Sequence, residues 1–77
     1  MDEQEVIFSD HARKQLEKRG ILVDWIRITV WHPHKLVLDG NRYRAYRQFG
    51  KLYLKVIFVR SNEKIIIVTE HFVRKLP

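Results

Sequence analysis

Cysteine is absent from this chain, glycine occurs three times, proline twice and methionine once. Without cysteine there is no disulfide framework and no thiolate nucleophile. So few glycines and prolines in a chain that is 45% apolar argue for a folded unit and against a linker or a disordered tail. No apolar run approaches the roughly 20 residues that span a bilayer. The acidic opening Met1-Asp2-Glu3-Gln4-Glu5 is unlike a signal peptide, so the expected compartment is the cytoplasm. A Walker loop, a dinucleotide fingerprint, paired carboxylates and a serine triad are also missing, which disfavours nucleoside-triphosphate chemistry and metal-assisted hydrolysis. His32-Pro33-His34 brings two imidazoles together with no cysteine or clustered acid nearby; no metal site and no cofactor is expected.

Acidic residues are scarce after the first helix begins. All fifteen Lys and Arg lie at or beyond Arg13, where only five acids remain, so residues 13–77 carry a surplus of +10. Such a bias suits a nucleic acid, an acidic protein or an anionic surface, with solubility alone as the plainer explanation.

At 77 residues the chain is one domain with a small core. Val6-Ile7-Phe8 fits a short edge strand. Ser9 has the chemistry of a helix N-cap, and Gly20 stops the helix that runs to Arg19. A second helix is predicted from about Val23 to Trp31, with Ile26, Thr29 and Val30 on its inner stripe. Lys35–Leu38, Arg42–Phe49, Leu52–Val59 and Lys64–Thr69 read as strands, separated by turn-forming Asp39-Gly40-Asn41, Gly50-Lys51 and Ser61-Asn62-Glu63. The connections are too short for crossovers. The expected fold is α+β: two N-terminal helices on one face of a four-stranded antiparallel meander.

Register decides which face each side chain occupies. A two-residue turn at Gly50-Lys51 pairs Phe49 with Leu52, Ala45 with Val56 and Tyr43 with Phe58. One face then collects Leu36, Leu38, Tyr43, Ala45, Phe49, Leu52, Leu54, Val56 and Phe58, the predicted core. A three-residue turn at Ser61-Asn62-Glu63 would pair Lys55 with Thr69, Tyr53 with His71 and Ile57 with Ile67. The outer face becomes Arg44, Tyr46, Gln48, Tyr53, Lys55, Thr69 and His71 beside Ile57, Ile65 and Ile67. Isoleucines so placed mark either a partner site or a surface covered by Phe72, Val73 and Leu76. Arg47 falls on the core side as a rim residue, and Trp25 and Trp31 are read as packing or interface residues.

The basic and aromatic residues of the outer face suit RNA. Guanidinium and ammonium match phosphate, and tyrosine stacks on a base or donates to phosphate. Metal-independent RNA cleavage uses the 2′-hydroxyl as nucleophile and needs a base, an acid and cations around the phosphorus. His11 and His71 are the candidate proton carriers, with Arg44 and Lys55 as candidate stabilising cations. Arg19, Tyr46, Tyr53 and Thr69 are the candidate nucleic-acid contacts. Each has a plainer reading as a solvated polar residue; Lys55, alone within Leu52-Tyr53-Leu54-Lys55-Val56-Ile57-Phe58, has the strongest need of an anionic partner.

The segment His11-Ala12-Arg13-Lys14-Gln15-Leu16-Glu17-Lys18-Arg19-Gly20-Ile21 resembles the opening of a family of small prokaryotic domains of unknown function. Those domains begin with an HAxxRMxxRGI helix, end a second helix near a proline (here Trp31-His32-Pro33) and close in a β-meander (here Thr69-Glu70-His71). The chain departs from that pattern at Gln15, where arginine is usual, at Leu22, where a polar cap is usual, and at His71, where tyrosine is common. The layout is similar to RelE-type and BrnT-type toxins. The resemblance implies a toxin-like ribonuclease acting on RNA, free or ribosome-associated, and restrained by an acidic or helical antitoxin. A non-catalytic nucleic-acid-binding module and a basic protein-interaction domain are the competing readings.

Overall fold

A computed structural model describes residues 4–77; the first three residues of the acidic opening lie outside it. The chain runs β1 (Glu5–Phe8), α1 (Asp10–Arg19), α2 (Val23–Trp31), β2 (Lys35–Asp39), β3 (Arg42–Phe49), β4 (Leu52–Ser61) and β5 (Lys64–Val73). The strands form one sheet in the order β1-β5-β4-β3-β2. Strands β2 to β5 are the expected antiparallel meander, and β1 adds a fifth strand parallel to β5. Among the described residues no helix is long and apolar enough to cross a membrane.

The helix ends are set by local chemistry. Ser9 accepts a hydrogen bond from the Ala12 amide at 3.0 Å, and the same hydroxyl donates to the Val68 carbonyl at 3.2 Å. One side chain thus caps α1 and fastens its start to β5. Gly20 ends α1 in the left-handed conformation at φ 66°, and Ile21 N–H reaches back to the Leu16 carbonyl at 2.9 Å. That backbone conformation favours glycine over any residue with a Cβ. Helix α2 has no side-chain cap at Leu22. Its buried Thr29 satisfies its hydroxyl internally, donating to the Trp25 carbonyl at 2.7 Å.

Helix α1 packs on β5 and β1, and α2 on β3 and β4. Between them lies the core: Ala12, Ile21, Ile26, Val30, Ala45, Leu54, Val56, Phe58, Ile65 and Ile67. Trp25 stacks on Phe49 with ring centroids 4.9 Å apart and meets Phe72 edge-on at 6.1 Å. Leu36 and Leu38 face the helix side, as alternation requires, yet remain 47% and 60% exposed, and Leu52 is exposed as well. The core expected of Leu36 and Leu38 does not form, because two short helices cannot roof five strands and β2 is left uncovered; Leu52 is exposed at the very start of β4.

The β3–β4 hairpin has the expected register at every pair from Tyr43↔Phe58 to Phe49↔Leu52. The β4–β5 hairpin does not. Its turn holds two residues, since Ser61 pairs with Lys64, and Asn62 takes the positive φ of 57° that Gly50 supplies at the preceding turn. Ile65 therefore pairs with Arg60 and Ile67 with Phe58, which sends both isoleucines into the core. A bulge then follows: Phe58 opposes Ile67, while its neighbour Ile57 opposes Thr69, so Val68 is the extra residue. Beyond it the alternation of β5 is inverted. Lys55 pairs with His71 instead of Thr69, and Tyr53 with Val73 instead of His71.

Candidate nucleic-acid interface

The bulge decides what stands beside Lys55. Continued without it, the hairpin register would set Glu70 against Lys55 on the outer face and turn His71 toward the helices. With it, a straight row crosses the outer face: Lys35 on β2, Tyr46 on β3, Lys55 on β4 and His71 on β5. Directly paired residues hold their Cβ atoms about 5 Å apart, so Lys55 and His71 are immediate neighbours. The adjacent row is Val37, Arg44, Ile57 and Thr69. Tyr53 lies one row further on, between Gln48 and Val73.

The row has no carboxylate. Lys55 Nζ sits 6.0 Å from the centre of the Tyr46 ring, the outer limit of a cation–π contact. Among the described residues it has no ion pair. Arg44 has one, an exposed contact of 3.5 Å from Nη2 to Asp39 Oδ2. Its Nε is buried without an acceptor. Tyr46, expected to be an accessible stacking platform, is only 3% exposed. Side chains on the same face and the returning C-terminal segment, whose Pro77 carbonyl accepts from Lys35 Nζ at 3.0 Å, crowd this row. A base cannot stack on Tyr46 as it stands; the tyrosine supports Lys55.

Arg19, at the end of α1, reaches the far edge of β5 and donates from Nη1 to the Glu70 carbonyl at 2.8 Å. It influences both neighbours. Burial, then the positive charges of Lys55 and Arg19, push the His71 pKa below its ordinary 6.5, so the imidazole is neutral at pH 7. Glu70 points to the opposite face and is 0% exposed, with no hydrogen-bond partner for either carboxylate oxygen among the described residues. Burial raises its pKa to about 7, with Arg19 opposing the rise.

Of the candidates, His71, Lys55, Arg44, Tyr46 and Thr69 share two adjacent rows, and Arg19 adjoins them at the sheet edge. Tyr53 flanks the cluster. His11 does not join it: it is exposed in the first turn of α1, eight residues before Arg19 and so about 12 Å from it along the helix axis. Between them Gln15 leaves its Oε1 buried and unbonded. Arg47 behaves as the expected rim residue, donating to the His32 carbonyl. His34 Nδ1 accepts from the Gln48 amide at 3.1 Å. Glu70 is not among the candidates read from the sequence: alternation turns it inward, opposite Leu54 in the expected register and Val56 in the observed one, but does not show that its carboxylate is buried without a partner among the described residues.

Fold and site together define an α+β domain with a basic outer sheet face. Comparison with family models, curated proteins and solved structures finds no match to this chain.

Proposed function

We propose that this protein binds RNA across the outer face of its sheet and cleaves it without a metal ion, in the manner of the toxin-like ribonucleases that its first helix and layout resemble. The observation that carries this reading is the pairing of Lys55 with His71. A half-buried ammonium without a counter-ion needs an anion. A neutral imidazole beside it can accept the proton of a ribose 2′-hydroxyl. The 2′-oxygen would attack phosphorus as the bond to the 5′-oxygen breaks, leaving a cyclic phosphate on one product. Lys55 and the exposed part of the Arg44 guanidinium would stabilise the charge on the phosphoryl oxygens. Lys55 would also protonate the leaving oxygen. Arg19 and Thr69 extend the phosphate track, and an acidic antitoxin segment would occupy the same cations.

A second reading, RNA binding without cleavage, is favoured by the position of His11. The two histidines do not face each other, so the pairing of base and acid expected from the sequence is not assembled.

One set of assays separates the readings. Labelled single-stranded RNA is incubated with protein in excess chelator, while affinity is followed by fluorescence anisotropy across a salt series. Cleavage that yields a 2′,3′-cyclic phosphate, lost in His71→Ala with affinity kept, supports the ribonuclease. Lys55→Ala should weaken binding about tenfold and lower the salt slope by about one. Intact RNA with salt-dependent binding selects the second reading. Absence of binding at low salt rejects both.

A further inference from the structure

We infer that strand β2 is a self-association edge, through which two copies of this chain join by antiparallel pairing into one continuous ten-stranded sheet. The inference is independent of RNA. Strand β2 ends the sheet, so one side of its backbone has no strand partner. Its helix-side residues Leu36 and Leu38 are the exposed leucines that no helix covers. A free edge carrying apolar side chains is a template for another strand.

The occupant is written in the strand itself. Lys35-Leu36-Val37-Leu38-Asp39 is self-complementary when two copies run antiparallel about Val37. Lys35 of one copy then faces Asp39 of the other, Leu36 faces Leu38, and Val37 faces Val37 on the two-fold axis. The Lys35–Asp39 and Leu36–Leu38 pairs each occur twice, as an isologous interface requires. Both charged groups have capacity left. Asp39 uses one carboxylate oxygen on Arg44, and the Lys35 ammonium has two further protons after its bond to Pro77. The basic outer faces of the two copies come to lie side by side on the same surface. Five residues of edge bury less than the roughly 800 Å² per partner of a standard interface, so association should be weak, with Kd of about 10 µM or higher.

Sedimentation velocity on nucleic-acid-free protein, from about 10 µM to about 1 mM, tests this. The wild-type chain should show a dimer fraction rising with concentration. Lys35→Glu and Asp39→Lys should each weaken the dimer about tenfold or more, because like charges then meet twice. An equimolar mixture of the two variants should restore a heterodimer, since the introduced glutamate faces the introduced lysine and the remaining native charges face each other. The mixture controls for the contact to Pro77 that Lys35→Glu loses and the pair with Arg44 that Asp39→Lys loses, since both stay lost when the variants are mixed. Circular dichroism confirms that both fold. A wild-type chain that stays monomeric to about 1 mM, or a dimer indifferent to both swaps, overturns the inference.

Discussion

The two halves of β5 follow opposite rules. From Lys64 to Ile67 the strand is plain: Ile65 and Ile67 enter the core, and Ile66 pairs with Val59 on the outer face. From Thr69 to Val73 the polarity is inverted, so a glutamate is buried while threonine and histidine face outward. Val68 is all that separates them. The first half is built for packing; the second still packs Phe72 on the core but buries Glu70 and puts His71 beside Lys55. Bulging out Val68 sets which residues of the second half face outward without altering the hairpin before it.

The severest way to break that contrast is to delete Val68 and Thr69 together. Glu70 then follows Ile67 directly and faces outward opposite Ile57, and His71 turns toward the helices opposite Val56. RNA binding should be lost and cooperative thermal unfolding with it, whereas deleting Val68 alone keeps Lys55 opposite His71 and should keep binding. A double-deletion variant that binds RNA and melts like the wild type would show that the outward polar row has no such role. Ile67→Ala tests the packing half alone. With its side chain fully buried, truncation should cost about 2–4 kcal/mol in chemical denaturation and leave RNA affinity per folded molecule unchanged.

Glu70→Gln tests the polar half through pH. The folded-state pKa of Glu70, about 7, lies above its ordinary 4.5. Its contribution to stability is therefore complete below pH 4.5 and is lost as pH rises through 7. His71 has the opposite sign: its depressed pKa gives stability above pH 6.5 that is lost on acidification. Urea denaturation across pH 5 to 8 should show the alkaline loss in the wild type, amounting to roughly 2 kcal/mol. In Glu70→Gln that loss should vanish while the acidic one persists. The smallest effect is expected from Ser9→Ala, which removes the α1 cap and the tie to the bulge carbonyl. It should cost about 1 kcal/mol, read from the melting temperature, and unequal hydrogen exchange should place the loosening in α1 and the second half of β5.

The same contrast marks what the sequence could reveal. Gly50 announces its tight turn, so every β3–β4 pair was legible, and Ser9 and Gly20 bound α1 where expected. Asn62 announces less, because it reads equally well as part of a longer loop. In Ile65-Ile66-Ile67-Val68 no polar residue marks a face, so neither the short turn nor the bulge leaves a trace in the pattern. The register read from the sequence sets His71 on the correct face but opposite Tyr53 instead of Lys55, and it turns Glu70 inward without showing that the carboxylate lies buried with no partner among the described residues. Leu36 and Leu38 alternate like core residues and lie on the correct face. Whether a helix lies above them depends on helix placement, which alternation does not encode.

The tie between Ser9 and Val68 spans fifty-nine residues, and β1 has β5 as its strand partner. During synthesis the capping serine and β1 must therefore wait until β5 has been made. The meander of local hairpins can form early, but β1 and α1 dock only once β5 is in place. Folding should be limited by this late closure, and the apolar side chains of Val6 and Phe8 stay unsheltered until it happens.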